Sequence, residues 1–271
     1  MAEQQKKQTQ EKRGAEGVMP YSPGEGKGKQ VETMFNSIAP AYDFMNSCMS
    51  LGMHTHWRNR ALREGVRRLG HTPEDVLDVA TGTGDLIFAM RRRYPHASLT
   101  GIDLSGGMLE IARKKLAEFP DERNITFIQG DCMEMPLEDE SFDMVTVAYG
   151  VRNFENMVRG YREMLRVLRP GGIVCVVELS QPTSALPLLM YKGYTRGFIP
   201  VAGRLMSGDP RAYSYLHESI EAAPQRGAMT ALMEEAGFSD CTWKSIFPGA
   251  VCIYIGTKQT PEKQCQEKIL K

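Results

Sequence analysis

The residues of this chain whose types and spacing could do chemistry are glycines and acids between positions 78 and 131. Asp78-Val79-Ala80-Thr81-Gly82-Thr83-Gly84-Asp85 follows an apolar run and places two glycines on either side of one residue. That spacing lets a backbone turn sharply and approach a ligand closely. A bare G-x-G also serves an ordinary strand-to-helix turn, so it decides nothing alone. A dinucleotide loop would need a third glycine where Ile87 stands, and Asp85 would repel a pyrophosphate at a helix N-terminus. A positively charged ligand suits the loop better. Asp103 closes the next apolar run, where a carboxylate can hold both ribose hydroxyls. Asp131 follows the third run in Gly130-Asp131-Cys132, placed to accept from an adenine amino group. Singly, each acid is more often a solvated loop residue. Together, at successive run ends beside a glycine loop, they describe a site for an adenosine with no phosphate and a cationic end. S-adenosylmethionine has that form.

Such a site needs strands to aim it. Strand-length apolar runs occur at Val76–Ala80, Ser98–Ile102, Ile125–Gln129, Met144–Ala148 and Ile173–Leu179, with a later pair at Cys241–Phe247 and Val251–Gly256. Helical periodicity lies between them, in Met108, Ile111, Ala112, Leu116 and Phe119, and again in Val158, Tyr161, Leu165 and Leu168. Ser105 is placed to cap the first of these helices, and Pro170-Gly171-Gly172 is expected to end the second. Ile173 to Val177 shows no polar alternation, so this strand should be covered on both faces. The pattern predicts an α/β fold, a doubly wound and mostly parallel sheet. Such sheets bind ligands beyond the carboxyl ends of their strands, where strand order reverses.

The chain has 271 residues and as many acidic as basic ones, 33 of each. That balance argues against holding nucleic acid on a bulk basic surface. Its six cysteines contain no C-x-x-C pair, which disfavours zinc and disulfide frameworks and suits a reducing compartment. His54 and His56 lie two apart and share no helix face, so no metal is expected. With no long apolar span and no signal-like start, the protein is expected in the cytoplasm. Residues 1–30 and 259–271 are poor in apolar residues and are expected to be disordered tails.

Asp78 to Asp85, Asp103, Gly130-Asp131, Ser141-Phe142-Asp143 and Leu168-Arg169-Pro170-Gly171-Gly172 resemble the successive motifs of class I S-adenosylmethionine-dependent methyltransferases. Three stretches narrow the resemblance: Phe35 to Asp43, Tyr149-Gly150-Val151-Arg152-Asn153, and Tyr213 to Leu216 with Ser219-Ile220. Together they are similar to the quinone C-methyltransferases of menaquinone and ubiquinone biosynthesis, over about residues 31–258. The resemblance implies a seven-stranded Rossmann-like sheet with an antiparallel last strand. It also implies a helical N-terminal lid over 31–70 and a substrate- or membrane-facing insertion over 181–225. Carried over, cofactor contacts fall on Thr83, Asp103, Asp131 and Cys132, with Asp78, Thr81, Gly82 and Gly84 forming the loop. Thr81 stands where relatives commonly have glycine. Ala148 stands where some relatives have a cofactor-binding Ser and, without a hydroxyl, offers packing at most.

The implied reaction is methylation of a polyprenylated quinol, demethylmenaquinol to menaquinol, with 2-polyprenyl-6-methoxy-1,4-benzoquinol of ubiquinone synthesis as a further candidate. A hydroquinone attacks through ring carbon once a hydroxyl loses its proton, so the site must stabilise an oxyanion away from water. Arg152 and Asn153, with Tyr42 from a closing lid, are the catalytic candidates. A polyprenyl substrate also implies peripheral contact with the inner face of a membrane. Residues 185–206 combine apolar stretches with Lys192, Arg196 and Arg204, which suits an interface or a packed insertion equally. Another small-molecule or sterol-type C-methyltransferase and a catalytically silent binding subunit stay open as alternatives. So do prenyl length and a homodimer.

Overall fold

A computed structural model describes residues 14–21, 24–120, 122–193 and 210–261. Seven strands form one sheet: β1 (Asp75–Val79), β2 (Ser98–Asp103), β3 (Ile125–Gln129), β4 (Phe142–Ala148), β5 (Leu168–Leu179), β6 (Ser239–Ile246) and β7 (Val251–Thr257). Their order is β3-β2-β1-β4-β5-β7-β6. The first five pair in parallel, and β7 runs antiparallel to both of its neighbours. The doubly wound sheet expected from the run pattern is therefore the observed one.

Three helices precede the sheet: α1 (Lys27–Ile38), α2 (Tyr42–Ser50) and α3 (Met53–Leu69). The crossovers are α4 (Asp85–Arg93), α5 (Gly106–Ala117) and α6 (Met157–Val167). After β5 come α7 (Ala185–Gly193), α8 (Pro210–Ala222) and α9 (Gly227–Ala236). Strand β5 shows why its run lacks polar alternation. Val174 and Val176 enter one core with α6 and α9, while Ile173, Cys175 and Val177 enter the other with α3 and α4. Both faces are buried, and each such aliphatic side chain contributes roughly 1.5–3 kcal/mol. A smaller third cluster joins Val31 and Met34 of α1, Met45 of α2, and Ala212 and Tyr215 of α8. The N-terminal helices thus rest partly on the insertion. Ser105 caps α5 as expected, accepting from the Met108 amide at 3.1 Å.

Two expectations are corrected. Pro170-Gly171-Gly172 does not end a helix: α6 stops at Val167 and β5 begins at Leu168. The three residues form a bulge, where pairing with β4 jumps from Phe142–Leu168 to Met144–Ile173 and Gly171 takes φ 84°. Helical spacing made Leu168 look like a helix position, but its ψ of 140° is already extended.

The second correction concerns the N-terminal tail. Residues 1–13 lie outside the described residues, but 14–21 and 24–30 are packed rather than disordered. A 3₁₀ turn at Gly14–Gly17 buries Ala15 and Glu16. Glu16 accepts from the Met157 amide at 2.7 Å, at the first turn of α6, where a carboxylate is favoured. Lys27 is fully buried. The expectation of disorder counted apolar surface. This segment docks through buried polar groups as well as through Ala15, Val18 and Tyr21, which join two apolar clusters. Of the insertion, residues 194–209 lie outside the described residues, as do 262–271 of the C-terminal tail.

Candidate active site

The carboxyl ends of β1, β2 and β4 and the turn after β3 open on one cleft, where strand order reverses between β1 and β4. Its wall includes Gly82, Asp103, Asp131, Cys132 and Ala148, with Tyr42 and Asn153 on the other side. Gly82 takes φ 58°, and a Cβ there would meet nothing within 4 Å. Its backbone therefore faces open space into which a ligand can come close. Asp103 accepts from the Gly82 amide through Oδ2 and from the Ser105 amide through Oδ1, both at 2.8 Å. One carboxylate ties the glycine loop to the start of α5, and each oxygen keeps a lone pair for a ribose hydroxyl. Burial raises the Asp103 pKa against those backbone donors. Asp131 accepts from the Met133 amide through Oδ1 at 2.8 Å. Burial also pushes the Cys132 thiol well up, so it meets a ligand as a neutral packing surface. These residues fit an adenosine with two ribose hydroxyls and an exocyclic amine.

The remaining loop candidates are not in the cleft wall. Asp78 lies beneath it, accepting from Thr81 Oγ1 and Thr146 Oγ1 at 2.7 Å each. Thr83 donates to Asp43 Oδ1 of α2 at 2.6 Å rather than facing the cleft. Gly84 packs where a Cβ would come 3.1 Å from both Phe88 and Phe127. Asp78, Thr81, Thr83 and Gly84 shape the loop and its tie to the lid. Asp85 does not supply the loop's preference for a cation, contrary to expectation. It pairs with Arg58 at 2.9 Å and Lys115 at 2.8 Å. Those cations outweigh burial and hold its pKa low. The acidic residues that line the cleft are Asp103, Asp131 and Glu155.

Burial raises Asp78 from the ordinary 3.8 to about 6, with Thr146 and Thr81 opposing. Between those values the folded protein keeps a proton that the unfolded chain releases. Stability from this group therefore falls as pH rises through that window, by about 3 kcal/mol. Asp78→Asn should remove this slope. Unfolding midpoints at pH 4 and 7 for both proteins test it, and an unchanged difference between them would refute the assignment.

Arg152 and Asn153 lie in the 3₁₀ turn Val151–Asn153 after β4, behind Tyr149, which takes the strained φ of 60°. Asn153 Oδ1 accepts from the Tyr215 hydroxyl at 3.1 Å. Tyr42 lines the cleft, its ring edge-on to Phe35 at 6.0 Å. Burial raises its pKa, while Asn46 and Arg152 oppose the rise. Arg152 was expected to face the substrate, yet it is absent from the cleft wall. Its Nη1 donates to Glu178 Oε1 at 2.8 Å and to the Tyr149 carbonyl, and its backbone amide reaches Glu178 Oε2 at 3.3 Å. Arg152 Nε is buried with no partner among the described residues. Burial works against the guanidinium's charge, but Glu178 outweighs it. The guanidinium's charge also opposes the burial that raises the pKa values of Tyr42, Tyr191 and Tyr215, so phenols of α2, α7 and α8 lie within its electrostatic reach.

Glu178 was missed in the sequence. The available signal was a carboxylate ending the apolar run of β5, the same position that singled out Asp103. Among the described residues, no three His, Cys, Asp or Glu side chains gather as a metal site requires.

The model of the ubiE/COQ5 methyltransferase family matches residues 24–258. A demethylmenaquinone methyltransferase of Porphyromonas gingivalis is 43% identical over 244 residues, covering 90% of this chain and 98% of that protein. The ubiquinone/menaquinone biosynthesis C-methyltransferase UbiE of Pseudomonas putida is 38% identical over 237 residues, 87% of this chain and 91% of that one. Among solved structures, an S-adenosylmethionine-dependent methyltransferase of Thermotoga maritima shares the fold. It has a TM-score of 0.56 at 19% identity, covering 84% of this chain and 99% of that chain.

Proposed function

The chain belongs to the ubiE/COQ5 methyltransferase family, and from that premise we propose that it methylates a ring carbon of a polyprenylated quinol, demethylmenaquinol foremost. The observation that carries this reading is 43% identity to a demethylmenaquinone methyltransferase across 98% of that protein's length. The co-substrate is S-adenosylmethionine, which supplies an electrophilic methyl group. Asp103 accepts its ribose hydroxyls, the second oxygen of Asp131 accepts its adenine amine, and Gly82 lets the backbone come close.

The quinol needs a negative ring oxygen so that charge reaches the adjacent carbon. Asn153 and Tyr42 reach that oxygen from the cleft wall. Arg152 supports it from behind the cleft wall through its charge, which Glu178 partly offsets. Burial pushes Tyr191 and Tyr215 up to about 12, so both remain neutral donors at physiological pH. No described helix is long and apolar enough to cross a membrane. Phe44, Leu51, Met53, Leu186 and Leu189 are exposed on or beside α2, α3 and α7. These side chains support peripheral contact with a bilayer, from which a polyprenyl tail could enter.

An oxidised quinone has no hydroxyl to ionise, and its ring carbon is electrophilic. Methyl transfer from labelled S-adenosylmethionine should therefore occur only with reduced quinols. Equal rates with and without a reductant would defeat this reading. A panel of naphthoquinols and benzoquinols identifies the substrate.

A further inference from the structure

We propose that the N-terminal segment is a strap that positions the turn carrying Arg152 and Asn153, with Lys27 as its positioning residue. The proposal rests on the reading of the chain as a quinol methyltransferase. The Lys27 ammonium is fully buried. It donates to the Ala15 carbonyl at 2.5 Å, the Arg152 carbonyl at 3.1 Å and the Phe154 carbonyl at 3.3 Å. Burying a cation is costly, and packing alone would be served better by an apolar side chain.

The turn it meets is short. It is a single 3₁₀ turn closed by the Asn153 amide on the Gly150 carbonyl at 3.0 Å and the Phe154 amide on the Val151 carbonyl at 3.1 Å, and it follows the strained Tyr149. It is clamped from outside at both polarities. On the sheet side, Glu178 takes the Arg152 amide and guanidinium. On the opposite side, Lys27 takes the carbonyls of Arg152 and Phe154. Glu16 of the strap fixes the Met157 amide a few residues on. Lys27 is not in the wall of the adenosine cleft, although its neighbour Gly28 is. Loosening the strap should therefore displace the groups that meet the quinol and spare those that meet the adenosine. A small misplacement of such groups is costly in rate.

The test compares the wild-type chain with Lys27→Met. The variant should bind S-adenosylhomocysteine with unchanged Kd, while kcat at saturating reduced quinol falls about tenfold. Hydrogen exchange should quicken at the Asn153 and Phe154 amides and not in the Asp78–Asp85 loop. A lower Tm with kcat per folded molecule and exchange at the turn unchanged would overturn the proposal. Should Lys27→Met not fold, deletion of residues 1–17 removes Ala15 and Glu16 but keeps α1. It should show the same split, and normal kcat with normal exchange would overturn the proposal equally. A wild-type protein that methylates no reduced quinol defeats the functional reading alone. The exchange and binding measurements then still judge the strap.

Discussion

Arg152→Ala is expected to lose both rate and stability, and the two losses come from different atoms. The guanidinium is half of a buried ion pair with Glu178, whose side chain is 1% exposed. Removing one partner leaves a carboxylate uncompensated, which typically costs 3–5 kcal/mol. Independently, loss of the positive charge behind the cleft wall lowers kcat, by at most the order of 10²–10³ that removal of a direct oxyanion donor costs. A single alanine variant therefore cannot separate a catalytic arginine from a structural one. The pair can. Arg152→Met with Glu178→Gln removes both charges, and neutral replacements of a buried pair are often neutral or better for stability. The double variant should recover most of the Tm while kcat stays low. Recovery of kcat together with Tm would show that Arg152 only supports the fold.

What the sequence revealed and what it hid divide along one line. Features carried by a run and its end were legible. Ile173 to Val177 announced a strand covered on both faces, and two cores meet there. Asp103 and Asp131 announced themselves as acids at successive strand ends, and both line the cleft. Hidden were the features made by partners brought together from afar. Asp85 looked like free negative charge because Arg58 and Lys115 sit 27 and 30 residues away on helices that fold back over it. Glu178 and Arg152 are 26 residues apart and meet because β4 and β5 are neighbours. Lys27 reaches the Arg152 carbonyl across 125 positions. Composition marked its segment as unable to fold because that rule counts apolar area, and a buried ammonium and a buried carboxylate add to the few apolar contacts of Ala15, Val18 and Tyr21. The Pro-Gly-Gly bulge failed for a local reason. Its glycine signal is the same whether a helix ends or a strand bulges.

Asp103→Ala is expected to weaken binding of S-adenosylmethionine on the order of 10²-fold, because the carboxylate does two things. It accepts the ribose hydroxyls, each charge-assisted contact contributing roughly 1.5–3 kcal/mol. It also anchors the Gly82 and Ser105 amides, which the alanine would leave without their acceptor. Asp103→Asn keeps one acceptor oxygen, so it should lose less. Burial raises the Asp103 pKa, and the ionised form is the better acceptor. Wild-type binding should therefore weaken as pH falls through that raised value, and binding to the Asn variant should not. The two roles separate with a cofactor analogue lacking the ribose 2′-hydroxyl. The wild type should bind the analogue much more weakly than the parent compound. Asp103→Ala, having already lost the acceptor, should scarcely distinguish them, since the two deletions remove one interaction. If the alanine variant still discriminated as strongly as the wild type, Asp103 would not face the ribose. Its part would then be confined to holding the glycine loop against the start of α5.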